Sequence, residues 1–342
     1  MTSRPTAAPR ADVQRAPKSG SRLRPGWITV AGKELADHVL SVRFYVLLFV
    51  LGIAALIPLY FAAEQIRAAG SSASGHPAIF LFLFVLSPEG LSILRVDYFV
   101  AIAAPLLGVG FAFDAVNGER HQGTLPRLLS QPIHRDDVIN GKFAAGLAII
   151  TVALISALAI ITGFGLLRLG IAPTGNELIR LVAWLGITIL YVSFWLALGT
   201  LLSVVIRRAA TSALVGLGVW FFVAIPQFGQ LLVSLVAQAI GPSGSSPTDL
   251  LAAAGTKQFL LRLLPSTLYR EASSVLLNPT IATVTAPATI DQYEQSRQQV
   301  STLLSLDQSL LLVWPHVVVL FALTVLCFAM AYARFMRQEV RA

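Results

Sequence analysis

Six stretches of this chain contain no Asp, Glu, Lys or Arg: residues 44–63, 98–113, 143–167, 181–206, 209–236 and 308–333. About 20 predominantly apolar residues are enough for a helix to cross the hydrocarbon core of a bilayer. Lipid offers no hydrogen-bond partner to a bare backbone, so each crossing has to be helical. The shortest run, 98–113, can lengthen by taking in Asp97 and Asp114 at its ends. Only 12% of the residues are charged and 56% are hydrophobic, against about 25% charged in an ordinary soluble domain. So little charge leaves too little polar surface to cover a water-soluble globule. The expected fold class is an all-α integral membrane protein with six transmembrane helices.

The segments between the runs have distinct characters. Residues 1–26 are rich in Pro, Ser, Ala and Arg and read as a disordered basic tail. Residues 27–43 read as an amphipathic interfacial helix, with Ile28, Ala31, Leu35 and Val39 on one face and Lys33, Glu34, Asp37 and His38 mostly on another. Residues 44–237 hold the first five spans. Residues 78–88 are apolar but only half a span long, and read either as a helix dipping into the outer leaflet or as one packed on the outer surface. Residues 238–307 read as an extracytoplasmic helical segment, a small outer cap on the spans. Residues 308–342 hold the last span and a basic tail. Lys and Arg accumulate on the cytoplasmic side of membrane proteins. With the N-terminus inside, 17 of the 25 lie in inner segments. This predicts a multi-pass cell-membrane protein with both termini cytoplasmic, and the net charge of +8 then reflects orientation rather than nucleic-acid binding.

Residues 117–142, NGERHQGTLPRLLSQPIHRDDVINGK, interrupt two charge-free runs with charges, glycines and prolines. Thr124 can cap a helix start, and Pro126 is tolerated in a first turn. Leu125, Leu128 and Leu129 then share a face. Pro132 ends that helix, and Asp136 or Asp137 can cap the next. A hairpin between two spans needs only a few residues, so an insert at 119–135 with an apolar face and a charged rim is suited to contact another protein.

The pattern Glu119-Arg120-x-x-Gly123-Thr124-Leu125, followed by Leu128-Leu129-Ser130-x-Pro132-x-x-Arg135 and Gly141-Lys142, resembles the signature of type-2 ATP-binding-cassette (ABC) transporter permeases. The resemblance extends to the outer segment before the last span and to the basic tail Arg334-Phe335-Met336-Arg337. It implies six spans, an N-terminal interfacial helix and a cytoplasmic coupling helix between spans two and three. It also implies a dimer of permease subunits, homo- or heteromeric, each docking its coupling helix on one of two cytoplasmic ATPase subunits. On that reading Leu125, Leu128 and Leu129 fill the ATPase cleft. Glu119, Arg120, Arg127 and Arg135 form rim ion pairs that fix register more than affinity. The family is mostly one of exporters; some members instead transmit force to an extracytoplasmic partner, which would meet the 238–307 segment. A non-transporting membrane scaffold is the remaining alternative. The cargo is not legible.

Catalytic chemistry finds no support. A phosphate-binding loop needs G-x-x-x-x-G-K-[ST], whereas Gly141-Lys142 has Asp136 in place of the first Gly and Phe143 after the Lys. No cofactor is therefore expected on this chain, and ATP with Mg belongs to the partner ATPase. The five His residues are scattered and Cys327 stands alone in an apolar run, so no metal site is expected. No carboxylate pair falls inside a span. One polar feature remains: after Pro226, residues Gln227, Gln230, Ser234 and Gln238 recur at intervals of three and four in the fifth run. A Gln facing lipid leaves its amide unpartnered. This stripe either makes inter-helix hydrogen bonds or lines a path or seam between two permease subunits.

Overall fold

The computed structural model describes residues 25–69, 78–87, 94–124, 134–241, 246–279 and 304–338. The basic tail up to residue 24, the leucine face of the insert (Leu125, Leu128, Leu129) with Arg127 and Pro132, and most of the polar stretch before the last span lie outside these residues. Twelve helices are described: α1 (Gly26–Val39), α2 (Val42–Ala69), α3 (Phe82–Val85), α4 (Val96–Ala112), α5 (Asn117–His121), α6 (Arg135–Leu169), α7 (Gly175–Val205), α8 (Ala209–Ala224), α9 (Pro226–Ile240), α10 (Pro247–Leu261), α11 (Pro265–Leu277) and α12 (Leu306–Met336). No strand occurs among the described residues.

Among the described residues, five helical stretches are each long and apolar enough to cross a membrane: those over α2, α4–α5, α6, α7 and α12. The sixth expected span behaves differently. Residues 209–236 form two helices, α8 and α9, whose axes differ by 79°. The cause is Pro226. It has no N–H, and the ring disfavours a helical residue before it. Ile225 accordingly takes φ −82°, ψ 112°, and Pro226 becomes the first residue of a new helix. Pro226 thus separates one helix from the next.

α4 and α7 form the centre. Of the most apolar stretch of each, 61% is buried, against 28% for α12. Their backbones approach closely at Gly108, where any Cβ would stand 2.7 Å from Leu196 N and 2.8 Å from Trp195 Cβ. Small residues at such crossings let helices pack where lipid supplies no hydrophobic drive. Tyr191 and Trp195 of α7 are fully buried. α2, α6 and α12 instead carry rows of exposed apolar side chains, Phe49, Ile53, Ile155, Ile160, Phe321 and Val325 among them. In water such faces would be a liability; in hydrocarbon they are the solvated surface.

The segments assigned to the outside are more deeply built in than a surface cap. Phe80, Leu81, Leu83 and Phe84, around the single turn α3, are at most 1% exposed, and Phe84 meets the Trp184 ring edge-on at 5.4 Å. α11 buries Leu268, Tyr269, Ala272, Val275 and Leu276. Tyr269 stacks on Tyr191 at 4.4 Å, and Trp184 Nε1 donates to Ser273 Oγ at 3.1 Å. α10, by contrast, keeps Leu250, Leu251 and Phe259 exposed. Arg180 of α7 closes this end. It is 2% exposed and donates to Asn176 Oδ1 (2.9 Å), Ser309 Oγ (3.0 Å), Leu276 O (3.4 Å) and Leu304 O (2.6 Å).

Candidate functional site

The chain leaves α4 through a turn at 113–116, forms α5, and re-enters the bundle at α6. Both flanks of the intervening insert are tied down. On the entering side, Ser203 Oγ of α7 accepts from the backbone N–H groups of Val116 (2.9 Å) and Asn117 (3.2 Å), which are unsatisfied at a helix start. Asn117 Nδ2 donates to Ile206 O at 3.1 Å, and Arg120 Nη1 reaches Val204 O at 3.5 Å. On the leaving side, Arg135 Nη1 donates to Gln338 O at 3.0 Å, and Gln338 Nε2 to Val204 O at 2.9 Å. The two flanks thus share one anchor, the C-terminal end of α7.

A third tie joins the flanks to each other. Lys142 Nζ lies 2.8 Å from Glu119 Oε1 and 2.9 Å from Glu34 Oε1 of α1. The Lys142 side chain is 5% exposed. Two carboxylates around one ammonium satisfy the requirement that a buried charge be paired. α1 reaches this site because Gly141 lets it: a Cβ there would stand 2.7 Å from Val30 Cβ and 2.8 Å from Trp27 O. Asp137 fixes the same contact. Its carboxylate accepts from the N–H of Trp27 (3.1 Å) and of His134 (3.3 Å), so one side chain serves the N-termini of α1 and α6.

Around this ion cluster opens a cavity of about 580 Å³, lined by residues that include Lys33, Asp37, His38, Arg43, Asp114 and Thr124. Arg43 pairs with Asp114 at 2.6 Å and stacks 5.0 Å over the Phe113 ring. His38 meets Phe111 edge-on at 5.1 Å, and burial lowers its pKa below the ordinary 6.5, with the Lys142 charge adding to the effect and Glu34, Asp114 and Asp37 opposing it. Gly123 has φ 69°, a conformation that glycine adopts without strain, so the position of this glycine in the motif has a backbone reason. Thr124 Oγ1 donates back to Glu119 O at 3.3 Å.

The polar stripe lies on α9. Gln227, Gln230 and Gln238 are exposed and Ser234 is half-buried. Gln227 Nε2 donates to Tyr98 OH at 2.9 Å, and Ser234 Oγ donates within its own helix to Gln230 O at 2.7 Å. Because α9 turns away from α8, the stripe runs along a helix lying across the fold rather than down a straight span.

The pattern of the family described as ABC-2 family transporter protein matches residues 28–340. The chain belongs to that family. A probable ABC transporter permease protein NosY from Pseudomonas aeruginosa is 30% identical over 250 residues, 71% of this chain and 79% of the relative. A protein of the same description from Stutzerimonas stutzeri is 33% identical over 174 residues, 48% of this chain and 56% of the relative. Family membership and the apolar helices together make this an integral membrane protein of the ABC transport machinery.

Of the motif residues, the fold brings Glu119 to Lys142, Arg120 to the end of α7, and Arg135 to the C-terminal segment. These contacts turn Glu119 and Arg120 toward the bundle. Two residues of α1 escaped the sequence reading. Glu34 and His38 were placed on the polar face, yet both point into the protein, while Ile28 and Val39 of the apolar face are each 38% exposed. Their spacing of four residues puts them on one helix face, but only the buried Lys142 marks that face as the inward one. Asp136 or Asp137 was expected to cap α6; the helix instead starts after His134, and Asp137 reaches back from its third position to serve the N-termini of both α1 and α6.

Proposed function

We propose that the chain is the permease subunit of an ABC exporter in the cell membrane. In this reading it has no catalytic activity of its own. It pairs with a second permease subunit and works with two separate ATPase subunits that bind ATP and Mg. The Lys142 end faces the cytoplasm, with both termini on that side, and the 119–135 insert is the coupling element. One observation carries the reading: both flanks of the insert are hydrogen-bonded to the same end of α7, and Lys142 joins them to α1. A push on an insert held this way is delivered to α1, α6, α7 and α12 together rather than absorbed by a slack loop. The family match and the two relatives described as permeases support the subunit role.

The exposed glutamines of α9 belong, in the same proposal, at the seam with the second permease subunit. Bare amides facing hydrocarbon would be costly, and a second copy of α9 or a hydrated path between the copies supplies partners. Force transmission to an extracytoplasmic partner is a second reading, favoured by the apolar residues Leu250, Leu251 and Phe259 that α10 leaves exposed. The test is Leu128→Asp in the full chain co-expressed with its ATPase. A carboxylate in an apolar cleft should abolish co-purification and the stimulation of ATP hydrolysis while the permease still inserts and folds. Undiminished co-purification would sink the coupling assignment.

A further inference from the structure

At the end of the bundle opposite Lys142, three helices bring together side chains that offer hydrogen-bond donors: the Tyr98 hydroxyl, the Gln227 amide and the Arg270 guanidinium. Tyr98, near the start of α4, accepts at its hydroxyl oxygen from Gln227 Nε2 of α9 at 2.9 Å. The guanidinium of Arg270, from α11, lies 5.1 Å from the centre of the Tyr98 ring. Tyr98 and Arg270 are half-buried and Gln227 is exposed, so the notch is open. Among the described residues Arg270 makes this ring contact but no hydrogen bond or ion pair. The two carboxylates adjacent to it in sequence or space are already engaged. Asp97 is held by Arg95 through two hydrogen bonds of 2.9 and 2.7 Å. Glu271 accepts from Arg262 at 3.2 Å and contacts His316 Nε2 at 2.9 Å. Arg95, Asp97 and Arg270 together carry a net positive charge.

A guanidinium stacked on an aromatic face keeps its edge, with its N–H groups, free for the two oxygens of a carboxylate or phosphate. With its oxygen accepting from Gln227, the Tyr98 hydroxyl keeps its own proton available to donate. Next to Gln227, Phe228 packs on Phe221 at 4.1 Å, and Phe221 and Phe222 are exposed. An oxyanion in the notch would therefore sit beside an apolar aromatic surface. We propose that Tyr98, Gln227 and Arg270 form a binding site for the phosphate or carboxylate head of an amphipathic molecule, its apolar part lying along Phe228, Phe221 and Phe222. As a cargo site this rests on the permease reading; as an oxyanion site it stands independently of it.

The test uses the full chain in phosphatidylcholine nanodiscs, without ATPase, so its failure is distinct from failure of the coupling assignment. Binding of dodecyl phosphate is measured by thermophoresis, with dodecyltrimethylammonium as the cationic control. A charge-assisted hydrogen bond is worth enough that Arg270→Gln should weaken dodecyl phosphate binding about tenfold or more. Arg270→Lys should retain part of the affinity, and Gln227→Leu should lose about threefold. Competition by phosphatidylglycerol doped into the nanodisc would assign the site to a bilayer head group. Competition by inorganic phosphate would assign it to a free anion, and competition by neither to an amphipathic solute. Unchanged affinity in a folded Arg270→Gln protein, or equal binding of the cationic amphiphile, overturns the site. Should Arg270→Gln not fold, unchanged affinity in Gln227→Leu, whose exposed side chain is not needed for packing, overturns it.

Discussion

Lys142 Nζ stands 2.8 Å from Glu119 Oε1, and the two residues bracket the insert between α5 and α6. With Glu34 at 2.9 Å on its other side, Lys142 joins the beginning of the insert, its end and the N-terminal helix through one buried ammonium. Lys142→Met should lower stability by about 3 kcal/mol, because truncating one partner of a buried pair strands the other charges. Thermal unfolding of the purified chain measures that loss. In the complex, Lys142→Arg should restore folding more than it restores ATPase stimulation, since a planar fork cannot reproduce the ammonium's contacts. Equal stability of wild type and Lys142→Met would show the cluster to be solvated.

Gly141 sets how closely α1 can approach α6. Gly141→Ala places a methyl group 2.7 Å from Val30 Cβ, and overpacking of this kind costs about 1–3 kcal/mol. A cysteine pair at positions 30 and 141 is too disruptive to report on this, so the readout is the melting temperature. Gly163→Ala, with no atom within 4 Å of its added Cβ, is the control and should leave it unchanged or slightly raised.

His38 gives the α1 contact a pH dependence. Its folded-state pKa lies below the ordinary 6.5 because burial disfavours the charged form. The unfolded chain therefore takes up the proton at higher pH than the folded one. The stability that the neutral ring contributes is present above about pH 6.5 and is lost as pH falls toward the folded pKa. His38→Gln should flatten the decline in melting temperature over this window. An identical pH profile for the variant would remove His38 from the account.

Arg180 ties Leu276 O, at the end of α11, to Leu304 O and Ser309 Oγ, at the start of α12. Arg180→Met leaves buried carbonyl acceptors unsatisfied, at about 1–3 kcal/mol. The melting temperature should fall, and proteolysis between residues 279 and 304 should accelerate. Arg180→Lys should rescue only in part, having fewer donors in no fixed fork.

The sequence was most legible where the physics is local. The runs at 143–167, 181–206 and 308–333 became α6, α7 and α12, whose transfer free energy depends on composition alone. The proline at 226 was visible, but its consequence was not. The same residue bends a helix when neighbours re-satisfy the freed carbonyls and ends it when they do not, and the neighbours are set by the fold. The outer segment depends on the fold in the same way. In residues 265–277, Tyr269 and Ser273 find partners in Tyr191, Thr188 and Trp184, and those partners make burial affordable. The motif was legible as a pattern, while the inward direction of Glu119 and Arg120 depended on where Lys142 and Val204 came to lie.

By itself the sequence determined that this chain lives in a bilayer, that its spans are helical, and that a charged insert separates the second from the third. Hydropathy and backbone hydrogen bonding settle those matters within a window of some tens of residues. Only the tertiary structure decided that Glu34, Glu119 and Lys142 form one cluster and that Tyr98, Gln227 and Arg270 share one notch. Each grouping spans more than a hundred positions of sequence, and each depends on the rotation of the helices about their axes. That rotation is chosen by the packing of all the helices together, which no local stretch of residues contains.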